Sequence, residues 1–257
     1  MADGQENHVR IENPDGAGPF VIVCDHASNR IPEELHALGL SEEQIGLHIA
    51  WDPGALPVAR HMARRLDAPL CWPDISRLVI DCNRAPEAAD LVLATSEGRE
   101  VPGNRALTPA EKRRRLAAVH VPYHDAIGKC IARRKAAGIP TALVAVHSFT
   151  PVYLGRARPW QIGVVFGEDR RLADPIVRAL KADPALTVGV NEPYSPDDGV
   201  YYTLRRHAAP HALPSVMIEI RSDEIADDAS QRAWADRLAD ILESVKPKIV
   251  GAGNAAA

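Results

Sequence analysis

Polar residues of a chemically coherent kind follow four predicted strands of this sequence at the points where the strands end. They are His26 after the first strand, Asn83 and Arg84 after the third, His147 at the end of the fourth and Glu219 near the end of the last. Neutral imidazole is a common zinc ligand, and a catalytic zinc keeps three protein ligands so that water can occupy the fourth position. A carboxylate can take the proton of such a water, and an arginine can bind a substrate carboxylate or stabilise an oxyanion. The residue types therefore indicate a hydrolytic metal site.

The elements that must bring these residues together are short apolar runs that alternate with longer helical patterns. Strands are predicted over residues 20–24, 69–72, 77–82, 142–147, 161–166, 186–190 and 215–220, and helices over residues 53–66, 109–137, 170–182 and 229–245. The apolar runs include residues 143–146, which show no alternation, as is typical of strands covered on both faces. We therefore predict a three-layer α/β/α fold with a mostly parallel, mixed central sheet. In such sheets the ligand site forms at the carboxyl ends of the strands, where the four polar groups are expected.

The chain has 257 residues, of which 46% are hydrophobic and 25% charged, and this length permits one large α/β domain or two small ones. We predict a flexible arm over residues 1–18, a single catalytic domain over residues 19–250 and a flexible tail over residues 251–257. The polar stretch 85–108 is predicted to be a large loop within the domain. Thr108, followed by a proline and a glutamate, has the pattern of an N-cap for the helix that follows.

Charge and cysteine usage exclude several classes of protein. With 30 basic and 34 acidic residues the net charge is -4, which argues against a nucleic-acid-binding or polybasic membrane surface. No apolar run approaches the roughly 20 residues of a membrane helix, and the first residues lack the pattern of a signal peptide. The four cysteines form no C-x-x-C pair and are expected to be free thiols in a reducing compartment. We expect a cytoplasmic protein that binds neither nucleic acid nor membrane, and leave open whether it forms a homo-oligomer.

Three further histidines have no role assigned by these patterns. His120 and His124 have the spacing of two metal ligands on one helix, but they lack the glutamate of an H-E-x-x-H motif and Pro122 interrupts the turn between them. This argues against a ligand pair, and the role of His207 is equally open. The sequence contains no G-x-G-x-x-G, P-loop or G-x-S-x-G motif, which argues against nucleotide-dependent chemistry and against a serine hydrolase with a nucleophile elbow.

Several sequence blocks together resemble the N-formylglutamate amidohydrolase family. They are DHASNRIP from residue 25, SRLVIDCNR from residue 76, VPYH from residue 121, VHSFTP from residue 146, and DGVYYTLRRH from residue 198 with IEIR from residue 218. This family is similar to the zinc exopeptidase fold of carboxypeptidases and aspartoacylases, in which a histidine turn, an Asn-Arg pair, a second histidine and a late glutamate follow in the same order. The resemblance implies that fold, a divalent metal with zinc as the expected ion, and His26 and His147 as two of its ligands.

The second metal ligand is the position at which the sequence departs from that pattern. The zinc exopeptidases use H-x-x-E, whereas this chain has Asn29 three residues after His26, and an amide is a poor zinc ligand beside a carboxylate. Asp52 is the preferred substitute, because the resembled family also has an aspartate near that position. The alternative is that Asp52, which precedes Pro53, is only the N-cap of a helix.

The resemblance implies a metal-assisted amidohydrolase that acts on a small N-acyl amino acid similar to N-formyl-L-glutamate. The resemblance implies Glu219 as the general base, Arg77 as the residue that faces the oxyanion, and Asn83 and Arg84 as ligands of the substrate carboxylate. It also implies further substrate contacts by Asn29 and by Tyr201 or Tyr202, and Tyr202 is the preferred tyrosine. Two alternatives stay open. One is a peptidase or amidase that acts on short acyl-peptides at the same site, and the other is a non-catalytic relative that only binds a small molecule.

Overall fold

The computed structural model describes residues 7–253, whose strands form a seven-stranded central sheet. The strands are β1 (Val9–Glu12), β2 (Phe20–Val23), β3 (Leu70–Pro73), β4 (Ala142–Phe149), β5 (Ile162–Val165), β6 (Val188–Val190) and β7 (Ser215–Arg221). Their order across the sheet is β1-β3-β2-β4-β7-β5-β6. The pairs β2/β3, β2/β4, β4/β7 and β5/β6 are parallel, and the pairs β1/β3 and β5/β7 are antiparallel. The predicted α/β fold with a mixed, mostly parallel sheet is confirmed.

Helices cover both faces of this sheet. They are α1 (Glu42–Gly46), α2 (Ala55–Arg65), α3 (Pro109–Arg115), α4 (Val121–Ala136), α5 (Ala173–Lys181), α6 (Tyr202–His207) and α7 (Asp228–Gly253). One core lies between the sheet and α2, α5 and α7, and the other lies between the sheet and α4, α6 and the long loops. Successive strand residues point to opposite faces, so Phe20 and Ile22 of β2 enter the first core while Val21 and Val23 enter the second. This explains why the strand patterns are apolar without alternation.

The predicted strand over residues 77–82 is wrong. This segment consists of turns, in which Val79 N donates to Ser76 O and Asp81 N donates to Leu91 O. The apolar residues of the run are buried in the second core all the same. The run therefore fills the core without pairing with another strand. A short apolar pattern does not distinguish a paired strand from an unpaired buried segment.

The predicted flexible arm over residues 1–18 is wrong for Val9–Glu12, which forms the edge strand β1 and pairs with β3. Only one of its four residues is buried, so the apolar pattern that identifies an inner strand is missing. Residues 251–253 of the predicted flexible tail continue α7. Residues 1–6 and 254–257 lie outside the described residues.

The predicted helix over residues 109–137 begins where its N-cap signal placed it, because Thr108 Oγ1 accepts a hydrogen bond from Glu111 N at 3.2 Å. Between α3 and α4 the chain continues as a π-helical turn over Leu116–His120. This wider turn ends two residues before Pro122, which lacks a backbone N–H donor and whose ring crowds the preceding turn. No helix in the part of the chain that the structure describes is long and apolar enough to span a bilayer.

Candidate active site

The candidate site lies at the carboxyl ends of three adjacent parallel strands, β2, β4 and β7. His26 follows β2, His147 is part of β4, and Glu219 is part of β7. His147 and Glu219 are directly paired across the β4/β7 ladder. All three side chains are buried and line one cleft of about 230 Å³. The predicted convergence of the strand ends therefore occurs in the structure.

Asp52 joins the two histidines in a compact buried cluster. One ligand atom from each of His26, Asp52 and His147 can be chosen so that all three lie within 4.8 Å of one another. His147 Nδ1 is 2.8 Å from Asp52 Oδ2, and His26 Nδ1 is 3.4 Å from the same oxygen. Asp52 does not cap α2, whose N-cap is Gly54 at a φ of 81° and which has no side-chain cap hydrogen bond. The structure thus favours a role of Asp52 in the candidate site over the alternative that Asp52 only caps a helix.

Each histidine of the cluster contacts a further carboxylate through its other ring nitrogen. His26 Nε2 is 2.8 Å from Asp81 Oδ1, and His147 Nε2 is 3.0 Å from Asp25 Oδ2. Such a carboxylate fixes the ring orientation and the tautomer, which leaves Nδ1 available as the ligand atom. The sequence patterns assign no role to Asp25, although it lies directly before His26 at a strand end.

Asp25 is itself held by two hydroxyl groups. Tyr123 Oη donates to Asp25 Oδ1 at 2.8 Å, and Thr203 Oγ1 donates to the same oxygen at 2.6 Å. Burial alone would raise the pKa of Asp25, but the hydrogen bond and charge of His147 outweigh burial and lower this pKa to about 2. Asp25 is therefore an anion that orients His147.

The donor set fits a divalent cation. Three side-chain atoms of the cleft are buried without a hydrogen-bond partner among the described residues, and they are His26 Nδ1, Asp52 Oδ1 and Glu219 Oε2. Unpartnered buried polar atoms cost free energy, and a cation that accepts their lone pairs removes this cost. Two imidazole nitrogens and one carboxylate oxygen form a ligand set that zinc uses in catalytic sites. The residues His26, Asp52 and His147 could thus hold such an ion.

Glu219 and Asp52 have opposite electrostatic behaviour in this cleft. Burial raises the pKa of Glu219 to about 7, with a further contribution from the negative charge of Asp52. Burial also acts to raise the pKa of Asp52, but His26 and His147 outweigh it and hold that pKa well below its usual range. Two carboxyl groups whose pKa values are driven apart are suited to different roles, one as an anionic ligand and one as a proton carrier near neutral pH.

Arg77 lies beside the cluster, on the turn that replaces the predicted strand. Its Nη2 donates to Asp81 Oδ2 at 2.7 Å, and its Nη1 is 3.7 Å from Asp52 Oδ1. Arg77 lines the cleft together with Glu219. Its guanidinium therefore supplies positive charge at the wall of the cleft, beside Asp81 and Asp52.

Asn83 and Arg84 also line the cleft, but much of their hydrogen-bonding capacity is used by the protein. Asn83 Nδ2 donates to Val200 O, and Asn83 Oδ1 accepts from Thr203 N at 3.0 Å. Arg84 Nε donates to Asp90 Oδ2 at 2.5 Å, and its Nη1 is 4.0 Å from Asp81 Oδ2. The bidentate use of Arg84 that the sequence analysis expects would have to compete with Asp90.

The structure does not place Asn29 or Tyr202 among the described residues that line the cleft. Asn29 Nδ2 donates to Ile45 O at 3.2 Å, and Tyr202 Oη accepts from Arg206 Nη1 at 2.6 Å. The tyrosines at the cleft are Tyr153 and Tyr194 instead. Neither tyrosine is predicted from the sequence, because both lie on irregular or hairpin segments, where no strand end marks a site.

The other histidines form a buried network behind the Asn83–Arg84 segment. His120 Nε2 is 2.9 Å from Arg84 O, and His124 Nε2 is 3.0 Å from Cys82 O. His124 Nδ1 is 2.9 Å from His207 Nε2, and burial lowers the pKa of His124 to about 2 and that of His207 to about 4. His120 and His124 thus hold backbone carbonyls, and His207 contacts His124.

The fold and the site define an α/β enzyme with a candidate metal centre at the carboxyl edge of its sheet. The family model of N-formylglutamate amidohydrolase matches residues 18–226. The chain therefore belongs to the N-formylglutamate amidohydrolase family, whose members are hydrolases that act on amide C–N bonds.

Two solved structures are similar to this chain. The gene product Atu2144 from Agrobacterium tumefaciens is 43% identical, with a TM-score of 0.92 over 96% of this chain and 97% of that one. The N-formylglutamate amidohydrolase from Ralstonia eutropha is 18% identical, with a TM-score of 0.66 over 98% of this chain and 100% of that one, and it shows the same fold. The comparison with curated proteins finds no match.

Proposed function

We propose that the protein is a metal-assisted amidohydrolase that cleaves a small N-acyl amino acid similar to N-formyl-L-glutamate into a carboxylic acid and a free amino acid. The observation that carries this proposal is the pairing of Glu219 with His147 at the edge of the His26–Asp52–His147 cluster. A carboxyl group with a pKa of about 7 then lies next to three side chains that can hold a cation. Membership of the amidohydrolase family supports the same reaction type.

In this proposal His26, Asp52 and His147 would hold a divalent metal, which would supply a more acidic water and polarisation of the amide carbonyl. Glu219 takes a proton from the attacking water and then delivers it to the leaving amine. A pKa of about 7 suits both steps, because the group can accept and release a proton near neutral pH. Asp25 and Asp81 keep the two histidine rings in their orientations throughout.

Arg77 is proposed to face the negative charge that develops on the carbonyl oxygen. Asp81 already holds the Arg77 guanidinium in place, so this side chain does not have to reorganise during the reaction. Arg84 is proposed to bind the α-carboxylate of the substrate, with Asp90 as its partner in the free protein. Asn83 positions the wall of the cleft through its contacts with Val200 and with Thr203 in the first turn of α6.

A turnover panel tests this proposal against its two alternatives. N-formyl-L-glutamate, N-acetyl-L-glutamate and formylated di- and tripeptides are assayed with zinc, and their binding is measured by calorimetry. The proposal predicts that the acyl amino acids are hydrolysed with higher kcat/KM than the peptides. Preferred hydrolysis of the peptides would indicate a peptidase. Tight binding without turnover of any substrate would indicate a non-catalytic relative, and either result contradicts the proposal.

A further inference from the structure

Thr203 connects two parts of the candidate site that are far apart in the sequence. It lies in the first turn of α6 and is fully buried. Its hydroxyl donates to Asp25 Oδ1 at 2.6 Å, and its backbone N–H donates to Asn83 Oδ1 at 3.0 Å. Thr203 therefore holds the carboxylate that contacts His147 and, at the same time, the amide of Asn83 at the cleft wall.

Asn83 continues this connection toward the other histidine of the cluster. Its backbone N–H donates to Asp81 Oδ1 at 2.8 Å, and the same oxygen is 2.8 Å from His26 Nε2. Its side-chain nitrogen donates to Val200 O, in the segment that precedes α6. The side chain is buried, and both of its polar atoms have partners in the chain. The Asn83 amide is therefore engaged in holding the chain.

These contacts form a continuous hydrogen-bonded path behind the cleft that begins and ends at a proposed metal ligand. All of its members are buried, and they follow in the order His147, Asp25, Thr203, Asn83, Asp81 and His26. On the cleft side, both histidines approach Asp52 Oδ2. Hydrogen bonds in a buried network strengthen one another and restrict the network to one arrangement.

We propose that Asn83 and Thr203 are positioning residues that bridge the two carboxylates behind the histidines and thereby fix His26 and His147 relative to each other. The family resemblance assigns Asn83 to the substrate carboxylate instead, so the two assignments can be separated by experiment. The bridge exists in the metal-free protein, and it rests on the proposed function only in its purpose. Ligands that are already fixed bind a cation without a further cost of ordering them.

The ring signals of the two histidines in nuclear magnetic resonance spectra test the bridge in metal-free protein. Imidazole nitrogen shifts report the tautomer and hydrogen bonding, and His26→Gln and His147→Gln assign them. Asn83→Ala should move both signals, because it releases the 81–84 turn from α6. Thr203→Val should move mainly the His147 signal. Adding Asn83→Ala to Thr203→Val should move the His147 signal little further, because the path to Asp25 is already broken.

The zinc dissociation constant, measured by competition with a chelator, gives the size of the effect. Asn83→Ala and Thr203→Val should each raise it about tenfold, at the lower end of the range for groups that orient metal ligands. Thr203→Ser keeps the hydroxyl and should stay close to the wild-type constant. The bridge also predicts that Asn83→Ala lowers kcat for N-formyl-L-glutamate by a larger factor than it raises KM.

Two buried residues outside the path are matched controls. Asn104→Ala removes an amide that donates to Leu78 O and Leu93 O, and Thr141→Val removes a hydroxyl that donates to Ile139 O. Neither substitution should move the two histidine signals or change the zinc dissociation constant.

Unchanged histidine signals and zinc affinity in folded Asn83→Ala would overturn the bridge, and a raised KM in that variant would make Asn83 a substrate ligand. Additive effects of Asn83→Ala and Thr203→Val on the His147 signal would overturn it as well. If Asn83→Ala does not fold, an unchanged His147 signal in Thr203→Val is sufficient to reject the bridge. If the wild type binds no zinc, the metal-assisted proposal fails, while the signals of the metal-free protein still decide on the bridge.

Discussion

Glu219 and His147 occupy directly paired positions on the neighbouring parallel strands β7 and β4, and both side chains are buried. Their relative position is thus set by the backbone ladder in the middle of the sheet and not by a loop. Strands that are hydrogen-bonded on both sides are among the least mobile parts of a domain. The proposed base and one proposed metal ligand are therefore held rigidly with respect to each other.

Glu219→Gln should abolish most turnover and preserve the fold. Glutamine keeps the size of the side chain but cannot accept a proton, and general acid–base groups contribute about 10²–10⁴-fold in rate. We expect kcat for N-formyl-L-glutamate to fall within that range while metal content stays constant. Glu224→Gln is the control, because Glu224 pairs with Arg221 and does not line the cleft. Wild-type kcat in Glu219→Gln would remove Glu219 from the mechanism.

The raised pKa of Glu219 predicts how the stability of the metal-free protein depends on pH. Since the pKa is about 7 in the folded protein and the ordinary value is 4.5, the folded state binds more protons between these values. The contribution of Glu219 to the free energy of unfolding therefore decreases as the pH rises through that window. Glu219→Gln should raise the melting temperature of metal-free protein more at pH 8 than at pH 5. An equal shift at both pH values would show that Glu219 has no raised pKa.

Asp25→Asn should weaken metal binding although Asp25 is not a proposed ligand. The substitution removes the charge that orients His147, and loss of such outer carboxylates typically costs about 10–100-fold in metal affinity. The zinc dissociation constant, measured by competition with a chromogenic chelator, should rise by this factor. Asp125→Asn, at an exposed position of α4, should leave the constant unchanged. An unchanged zinc affinity in folded Asp25→Asn would mean that Asp25 only supports the packing of Tyr123 and Thr203.

Arg84→Lys tests whether Arg84 binds the substrate carboxylate or only its partner Asp90. Lysine keeps the charge and loses the planar fork, so kcat/KM for N-formyl-L-glutamate should fall about tenfold. An analogue whose α-carboxylate is amidated should be affected much less, and the melting temperature should stay close to wild type. Equal losses for both substrates, together with earlier melting, would make Arg84 a structural residue.

The sequence predicted the part of the site that depends on regular strands. β2, β4 and β7 are apolar on both faces, so their positions and the polar residues at their ends could be read locally. Asn29 and Tyr202 lie within the sequence blocks that resemble the family, yet their side chains contact Ile45 and Arg206 outside the cleft, because such a block does not specify the direction of every side chain. Tyr194 and Glu97 reach the cleft from segments without periodicity, and only the tertiary structure brings them there.

The most direct test of the proposed metal-assisted reaction is the rate of N-formyl-L-glutamate hydrolysis during zinc titration of metal-stripped protein, with bound metal measured on the same samples. The account predicts no turnover in the stripped protein and activity that increases in proportion to bound zinc up to about one equivalent. It also predicts that His26→Ala and Asp52→Ala bind zinc more weakly and recover little activity. Full activity in protein verified to be free of metal would contradict the account.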